Sequence, residues 1–257
     1  MAKNDASLIQ PSLIQPADIV DAVQLLTRLP VPSNDAPRGA AAAWAYPLAG
    51  TILGALAAAV GITGHAFGLP APLSALLSLA TLIIATGALH EDGLADTADG
   101  LWGGWTVERR LEIMKDSRIG AYGVIALFLG LAARWAALWM LFETSPEAAA
   151  AAILVACTAS RAMMPGVMAM LPHAREDGLS ARVGDVPLPA ALVALGIALL
   201  VALIFAGWGG LLALFWALVV TAALARIAMV KIGGQTGDIL GATQQLAEIA
   251  IFLSLLV

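Results

Sequence analysis

Residues 188–230 read LPAALVALGIALLVALIFAGW and then GGLLALFWALVVTAALARIAMV, and Arg226 is the only charged side chain in the stretch. A helix needs roughly 17 to 25 apolar residues to cross the hydrocarbon core of a membrane. The two halves of the stretch, residues 188–208 and 209–230, each meet that requirement. The stretch therefore predicts two consecutive membrane-spanning helices.

Further apolar runs extend this prediction along the chain. Four of them come close to the spanning length, and they cover residues 41–66, 73–89, 121–142 and 148–171. A last run, residues 240–257, opens with the polar side chains Thr243, Gln244, Gln245 and Glu248, and polar groups in a span tend to face a cavity. We predict an all-α fold, a polytopic integral membrane helical bundle of about six to seven transmembrane helices.

The overall composition agrees with this fold class. Of the 257 residues, 60% are hydrophobic and 12% are charged, and the mean hydropathy is +0.89. A soluble domain carries about a quarter charged residues, so a soluble fold and a disordered chain are both excluded. The net charge of −5 gives no basic surplus for nucleic-acid binding, and the single cysteine, Cys157, excludes an intrachain disulfide.

The lysines and arginines predict the orientation of the chain. Those outside the long apolar runs precede the first run or occupy every second connection, and they are Lys3, Arg28, Arg38, Arg109, Arg110, Lys115, Arg118, Arg175, Arg182 and Lys231. By the positive-inside rule, the amino terminus and the long loops lie on the cytoplasmic side. We predict one membrane domain over residues 1–257, with a cytoplasmic arm at 1–39 and a transmembrane catalytic bundle at 40–257.

The arm contains a predicted amphipathic helix at residues 17–29. Its apolar stripe and its acidic side are formed by Ile19, Val20, Val23 and Leu26 and by Asp18 and Asp21, respectively. Such a pattern is typical of a helix that lies on the membrane surface, and a substrate lid is the alternative.

The chemically informative segment is residues 90–100, HEDGLADTADG, which directly follows an apolar run. On a helix, Asp92, Asp96 and Asp99 stand at about 0°, 40° and 340°, whereas Glu91 projects about 100° away. Carboxylates this close repel one another unless a cation neutralises them. Mg²⁺ prefers oxygen ligands of this kind, so the segment predicts a magnesium site, with a hydrated acidic loop as the alternative.

Other polar clusters lie on the same predicted side. Lys115 and Arg118 suit the binding of a polyphosphate, although anchoring by the positive-inside rule explains them equally well. The glycine-rich entry to the last helix, residues 233–241, is a generic anion site with Asp238 as the helix cap. Arg161 lies inside an apolar run and suits a carboxylate or a phosphate. Arg134, beside Trp135, is interpreted as a snorkelling arginine of the interfacial belt.

Four motifs together resemble one known family. HEDGLADTADG from His90, KDSRIG from Lys115, AREDGL from Ala174 and GGQTGD from Gly233 are similar to the cobalamin-5′-phosphate synthases, integral membrane enzymes of bacteria and archaea. The resemblance covers the chain from about Val20 to its end. It implies a multi-pass protein of the bacterial inner membrane, with its active site facing the cytoplasm.

The resemblance also implies a reaction. α-Ribazole or its 5′-phosphate joins adenosylcobinamide-GDP, giving adenosylcobalamin or its 5′-phosphate and GMP, with Mg²⁺ as the cofactor. Small-molecule substrates and the lipid bilayer are the implied partners; a homo-oligomer and pathway enzymes at the cytoplasmic face are left open.

The residue roles follow from this chemistry. The expected metal ligands are Glu91, Asp92, Asp96 and Asp99. Asp99 or Asp238 is the expected acceptor of the ribazole hydroxyl proton. The expected substrate-binding residues are His90, Lys115, Asp116, Arg118, Arg161, Arg175, Gln235 and Thr236. Two other classes stay open at this point: a CDP-alcohol phosphotransferase-like or prenyltransferase enzyme, and a divalent-cation transporter.

Overall fold

The computed structural model describes residues 13–34 and 36–257, and within them it contains ten α-helices and one 3-10 helix, Gly39–Ala45. Lys3, used above for the orientation, lies outside the described residues. The α-helices are α1 Ala17–Leu26, α2 Tyr46–Ala66, α3 Ala71–Thr86, α4 Leu89–Gly103, α5 Val107–Ile113, α6 Ala121–Thr144, α7 Pro146–Met170, α8 Leu179–Val183, α9 Leu188–Ile232 and α10 Gly237–Ser254.

Among the described residues, four helical segments are long and apolar enough to cross a membrane: Gly39–Ala66, Ala121–Thr144, Pro146–Met170 and Leu188–Ile232. A fifth span results if α3 and α4, which are bent by 85° at the break between them, count as one. The prediction of a helical membrane fold is confirmed. The number of spans and the direction in which the chain crosses the membrane stay predictions.

The long helix α9 is not straight but reverses at Gly207. That residue has φ 53° and ψ −131°, a conformation open to glycine and strained for other residues. A Cβ atom built on Gly210 would collide with the carbonyl oxygen of Ala202, which shows that the chain folds back on itself after Gly207. The break separates two legs at the point where the sequence divides residues 188–208 from residues 209–230.

A second sharp break separates the apolar run of α3 from the acidic helix α4. Gly87 and Ala88 both adopt left-handed backbone conformations, with φ 65° and 58°. A Cβ on Gly87 would lie 2.8 Å from Nε of Arg28, so the Arg28 side chain would have to move to make room for it. The acidic motif consequently occupies a helix of its own, which confirms the predicted helix, and that helix packs against α6 and α10.

The centre of the bundle is α7, which is rich in alanine and packs closely against α2. A Cβ on Gly54 of α2 would lie 3.1 Å from the Cβ of Cys157 of α7, so the two backbones nearly touch. Small residues at such an interface allow close packing without a hydrophobic driving force between helices. Cys157 is fully buried there, as a small apolar side chain.

A buried network of charges ties α4, α6, α7 and α10 together. Arg134 of α6 donates to Glu91 of α4 at 3.0 Å and to Glu248 of α10 at 3.1 Å. The network is completed by Ser160, Arg161, Gln244 and Gln245. Arg134 is only 1% exposed, so its interpretation as a snorkelling interfacial arginine is wrong: the side chain turns inward because two glutamates neutralise it there.

The arm also differs from its prediction. Helix α1 ends at Leu26 rather than residue 29, and its acidic side faces protein rather than water. Asp18 is fully buried and accepts hydrogen bonds from Nε1 of Trp44 at 2.6 Å and from Arg38 at 2.9 Å. Asp21 accepts from Nδ2 of Asn34 at 2.6 Å. These polar contacts hold α1 against the start of the bundle.

We expect Gly207→Ala to lower stability by about 1 to 3 kcal/mol, because an L residue is strained at this φ and ψ. Gly196→Ala is the matched control, since both glycines have open space around them but Gly196 is helical. The control should be neutral or slightly stabilising. Thermal unfolding in detergent, followed by circular dichroism, measures both changes. Equal melting temperatures for the two variants would contradict the assigned reversal.

We expect Arg134→Gln to cost about 3 to 5 kcal/mol, because it leaves the buried Glu91 without a cation, whereas Glu248 keeps Arg161 at 3.8 Å. Arg226→Gln is the control: it removes the same charge from an exposed position in α9. The double variant Glu91→Gln, Arg134→Gln should recover much of the loss, since it removes the unpaired charge and leaves Glu248 with Arg161. The same melting measurement tests this, and no recovery in the double variant would show that charge pairing is not the cause.

Candidate active site

The site is assembled where α4 crosses the beginning of α10. A Cβ on Gly93 would lie 3.1 Å from Cα of Gly241 and 3.0 Å from the carbonyl oxygen of Asp238. The two backbones are therefore in contact, and glycine at both positions lets them approach this closely. The crossing brings the acidic face of α4 beside Asp238.

The four carboxylates of α4 divide into two kinds. Within the described part of the chain, the carboxylates of Asp92 and Asp96 have neither a hydrogen-bond partner nor an ion-pair partner. Glu91, by contrast, forms an ion pair with Arg134, and Asp99 accepts two backbone hydrogen bonds. Asp92 is exposed and Asp96 is half-buried. The charge of Asp96 is repelled by Asp92, Asp238 and Asp99 and is attracted by Arg175. Asp92 and Asp96 thus leave carboxylate oxygens available for a cation.

Glu91, expected to bind metal, is instead directed into the buried network. Its Oε1 accepts from Arg134 and from Nε2 of Gln245, and its Oε2 is buried without a partner among the described residues. The roughly 100° offset from Asp92 that the sequence predicted places it on this inner side. Glu91 is therefore a neutralised structural carboxylate in this arrangement.

Asp99, expected as a metal ligand or base, caps the start of α6. Its two carboxylate oxygens accept the backbone N–H groups of Gly120 at 2.7 Å and Gly123 at 2.9 Å. A Cβ at either glycine would collide with the carboxylate. The negative charge lies at the positive end of the helix dipole, so Asp99 fastens α6 to α4.

A small cavity of about 120 Å³ adjoins this crossing, and we call it the acidic cavity. Its polar lining is formed by His90, Asp92, Arg175, Ser180 and Asp238. Leu25 and Leu26 of α1 form part of its wall, so α1 lies over the site as the lid interpretation of the arm requires.

Arg175 is the one expected phosphate-binding cation that lines the acidic cavity. Its Nη2 donates to Oδ2 of Asp238 at 3.2 Å, and its Nε and Nη1 are buried without a hydrogen-bond partner among the described residues. Nε2 of His90 is likewise buried and unpartnered in this part of the chain. Nε of Arg175 also lies 3.9 Å from Oδ1 of Asp177, beyond hydrogen-bond distance, so two nitrogens of this guanidinium make no hydrogen bond within the described residues.

The other three expected cations are engaged elsewhere. Lys115 binds Asp177 at 2.5 Å, and this hydrogen bond lowers the pKa of the Asp177 carboxyl. Arg118 binds Asp116, and its hydrogen bonds lower the pKa of that carboxyl. Arg161 is buried, donates to the carbonyl oxygen of Cys157 and lies 3.8 Å from Glu248. None of these four residues, including Asp116, lines the acidic cavity.

Asp238 is positioned by the glycine-rich turn before α10. Oγ1 of Thr236 caps the helix by accepting from the N–H of Ile239, and it also donates to Asp238 at 3.2 Å. Burial raises the pKa of the Asp238 carboxyl, and the attraction of Arg175 opposes that rise. The result is a carboxylate that is held in place and more basic than usual.

His173 joins the two loops behind the site. Its Nδ1 lies 2.8 Å from Nε2 of Gln235, and its Nε2 lies 3.2 Å from Asp185. Oε1 of Gln235 also accepts a hydrogen bond from the hydroxyl of Ser180 at 2.5 Å. Gln235 thus connects the two loops, and it does not line the acidic cavity. The contact spans distant sequence positions, and no local spacing signals it.

The donor set fits a magnesium ion that also binds substrate. The described residues bring no three His, Cys, Asp or Glu side chains close enough to hold a metal ion by themselves. Mg²⁺ usually takes one or two carboxylates and completes its shell with water and substrate phosphate. Asp92, which lines the acidic cavity, and Asp96, one turn further on the same face of α4, match that requirement.

The comparisons with known proteins agree on one family. The family model for cobalamin-5-phosphate synthase matches residues 18–256. The adenosylcobinamide-GDP ribazoletransferase of Bradyrhizobium diazoefficiens is 46% identical, with 92% of each chain covered. The protein of the same name from Mesorhizobium japonicum is 44% identical, with 93% of this chain and 94% of the relative covered. No solved structure matches the chain. The extent of these matches shows that the chain belongs to the cobalamin-5-phosphate synthase family.

Proposed function

We propose that the chain is a membrane transferase of cobalamin nucleotide-loop assembly. It joins α-ribazole or α-ribazole 5′-phosphate to adenosylcobinamide-GDP and releases GMP, as the names of its relatives indicate. The family matches cover nearly the whole chain, so the alternatives of a CDP-alcohol phosphotransferase, a prenyltransferase or a cation transporter are set aside.

The observation that carries the mechanism is that free acceptors and free donors lie at the same crossing of α4 and α10. Asp92 and Arg175 line the acidic cavity, and Asp96 follows Asp92 by one turn on the same face of α4. Asp92 and Asp96 offer carboxylate oxygens, and Nε and Nη1 of Arg175 offer N–H groups. A diphosphate needs both kinds of group: a metal held by the carboxylates on one side and a guanidinium on the other. Bound Mg²⁺ would supply positive charge for the phosphate oxygens during phosphoryl transfer.

The chain's own residues then position the reaction. Arg175 would bind the diphosphate oxygens through its two free N–H groups and orient the corrinoid-linked phosphorus. A ribazole hydroxyl oxygen forms the new bond to that phosphorus, and the bond from phosphorus to the bridging oxygen of GMP breaks. Asp238 accepts the hydroxyl proton, because it lines the acidic cavity and burial raises the pKa of its carboxyl, whereas both oxygens of Asp99 already accept backbone N–H groups.

We expect Asp92→Asn and Asp96→Asn each to lower the rate of GMP release by at least about 100-fold and to raise the Mg²⁺ concentration required, because each removes a metal oxygen with its charge. Glu112→Gln is the control, since Glu112 is exposed on α5 and pairs with Arg109. GMP release from adenosylcobinamide-GDP is measured in detergent over a Mg²⁺ titration. The parental rate in either aspartate variant would show that the metal assignment is wrong.

We expect Asp238→Asn to lower kcat by about 100- to 10,000-fold, the usual contribution of a general base. The Mg²⁺ concentration required should stay that of the parent, because this carboxylate is paired with Arg175 and Thr236. The same titration separates the two roles. A raised Mg²⁺ requirement with little change in kcat at saturating metal would make Asp238 a metal ligand and contradict its role as the base.

A further inference from the structure

A second cavity, of about 380 Å³, lies next to the acidic cavity beneath α1. The two cavities share three lining residues, Leu25, Tyr46 and Val183. The rest of the second cavity is formed by Asp21, Ala22, Gln24, Pro37, Gly39, Ala42 and Arg182. A ligand whose charged part occupies the acidic cavity can therefore extend into the second cavity past Tyr46.

Tyr46 carries an unused polar group at the wall between them. Its side chain is 2% exposed, and its hydroxyl, which is not fully buried, has no hydrogen-bond partner among the described residues. A hydroxyl in such a place can donate to water or to a ligand. The position of this hydroxyl, on the wall of both cavities, points to a ligand that passes through.

The second cavity has polar groups suited to the edge of a base. Asp21 supplies a carboxylate, held by Asn34 and by the N–H of Arg38. Gln24 donates to the carbonyl oxygen of Pro32 and keeps its own amide oxygen as an acceptor. Arg182 is exposed and has no ion pair in the described ranges. The cavity thus combines acceptors, one cationic donor and apolar walls.

We propose that the second cavity binds the guanosine of the GMP leaving group, with the Tyr46 hydroxyl donating to its phosphate ester; this rests on the proposed function. Guanine presents N–H donors and carbonyl and ring-nitrogen acceptors, which match Asp21, Gln24 and Arg182. The other nucleoside of the reaction, α-ribazole, has a dimethylbenzimidazole base without an N–H donor, so it leaves these groups unpaired. α-Ribazole then approaches the phosphorus from the side opposite the departing GMP.

The test measures GMP binding directly, by equilibrium dialysis of radiolabelled GMP against the detergent-solubilised protein with Mg²⁺. Tyr46→Phe keeps the ring and removes the hydroxyl, and it should weaken GMP binding about 5- to 15-fold, the loss expected for one hydrogen bond. Arg182→Gln, an exposed substitution that leaves packing unchanged, should weaken it similarly. Tyr122→Phe is the control, because Tyr122 is exposed on α6.

The KM for α-ribazole, measured on the same variants, should stay that of the parent. Parental GMP binding in both Tyr46→Phe and Arg182→Gln, or a raised KM for α-ribazole with GMP binding intact, would overturn the proposal. Failure of the parent protein to release GMP from adenosylcobinamide-GDP would instead contradict the proposed function, so the two outcomes are distinguishable.

Discussion

The position of the active-site helix depends on the ion pairs that Arg134 makes with Glu91 and Glu248 inside the bundle. Charges in an apolar environment must be paired, and these three pair only when α4, α6 and α10 meet in one register. Because Glu91 and Asp92 are neighbours about 100° apart on a helix, fixing Glu91 inward fixes Asp92 outward. Contacts of Glu91 therefore set the rotation of α4 about its axis. They also set the direction of Asp92 and Asp96, although neither aspartate takes part in them.

The carboxylates of the acidic motif in α4 have three different roles. Glu91 satisfies the buried network, Asp99 caps α6, and Asp92 and Asp96 remain without protein partners. The contact of Gly93 with the start of α10 then adds Asp238 from a different part of the chain. Concentrating four carboxylates within nine residues is tolerated because two of them are neutralised by an arginine or by backbone N–H groups.

Features of the fold that depend on a local sequence pattern can be predicted from the sequence. Apolar length predicts the helices, residues 188–208 and 209–230 are separated where Gly207 reverses the chain, and the 4-then-3 spacing predicts the helix of the acidic motif. Partners between helices escape such reasoning, since periodicity gives the face of a residue and not what covers that face. Arg134 illustrates this: two flanking tryptophans suggest a membrane interface, while its actual partners lie 43 and 114 positions away. The same reason explains why the burial of Asp18 was not predicted: its partner Trp44 lies 26 positions away.

The distribution of cations adds a final constraint on the chemistry. Lys115 and Arg118 form exposed ion pairs with Asp177 and Asp116, and exposed pairs of this kind add little to stability. Their placement fits the positive-inside rule better than substrate binding. Arg175 is then the cation left to face the carboxylates of the acidic cavity, so a diphosphate entering alone meets net repulsion. We infer that substrate and Mg²⁺ favour each other's binding here, since each supplies the charge that the other needs.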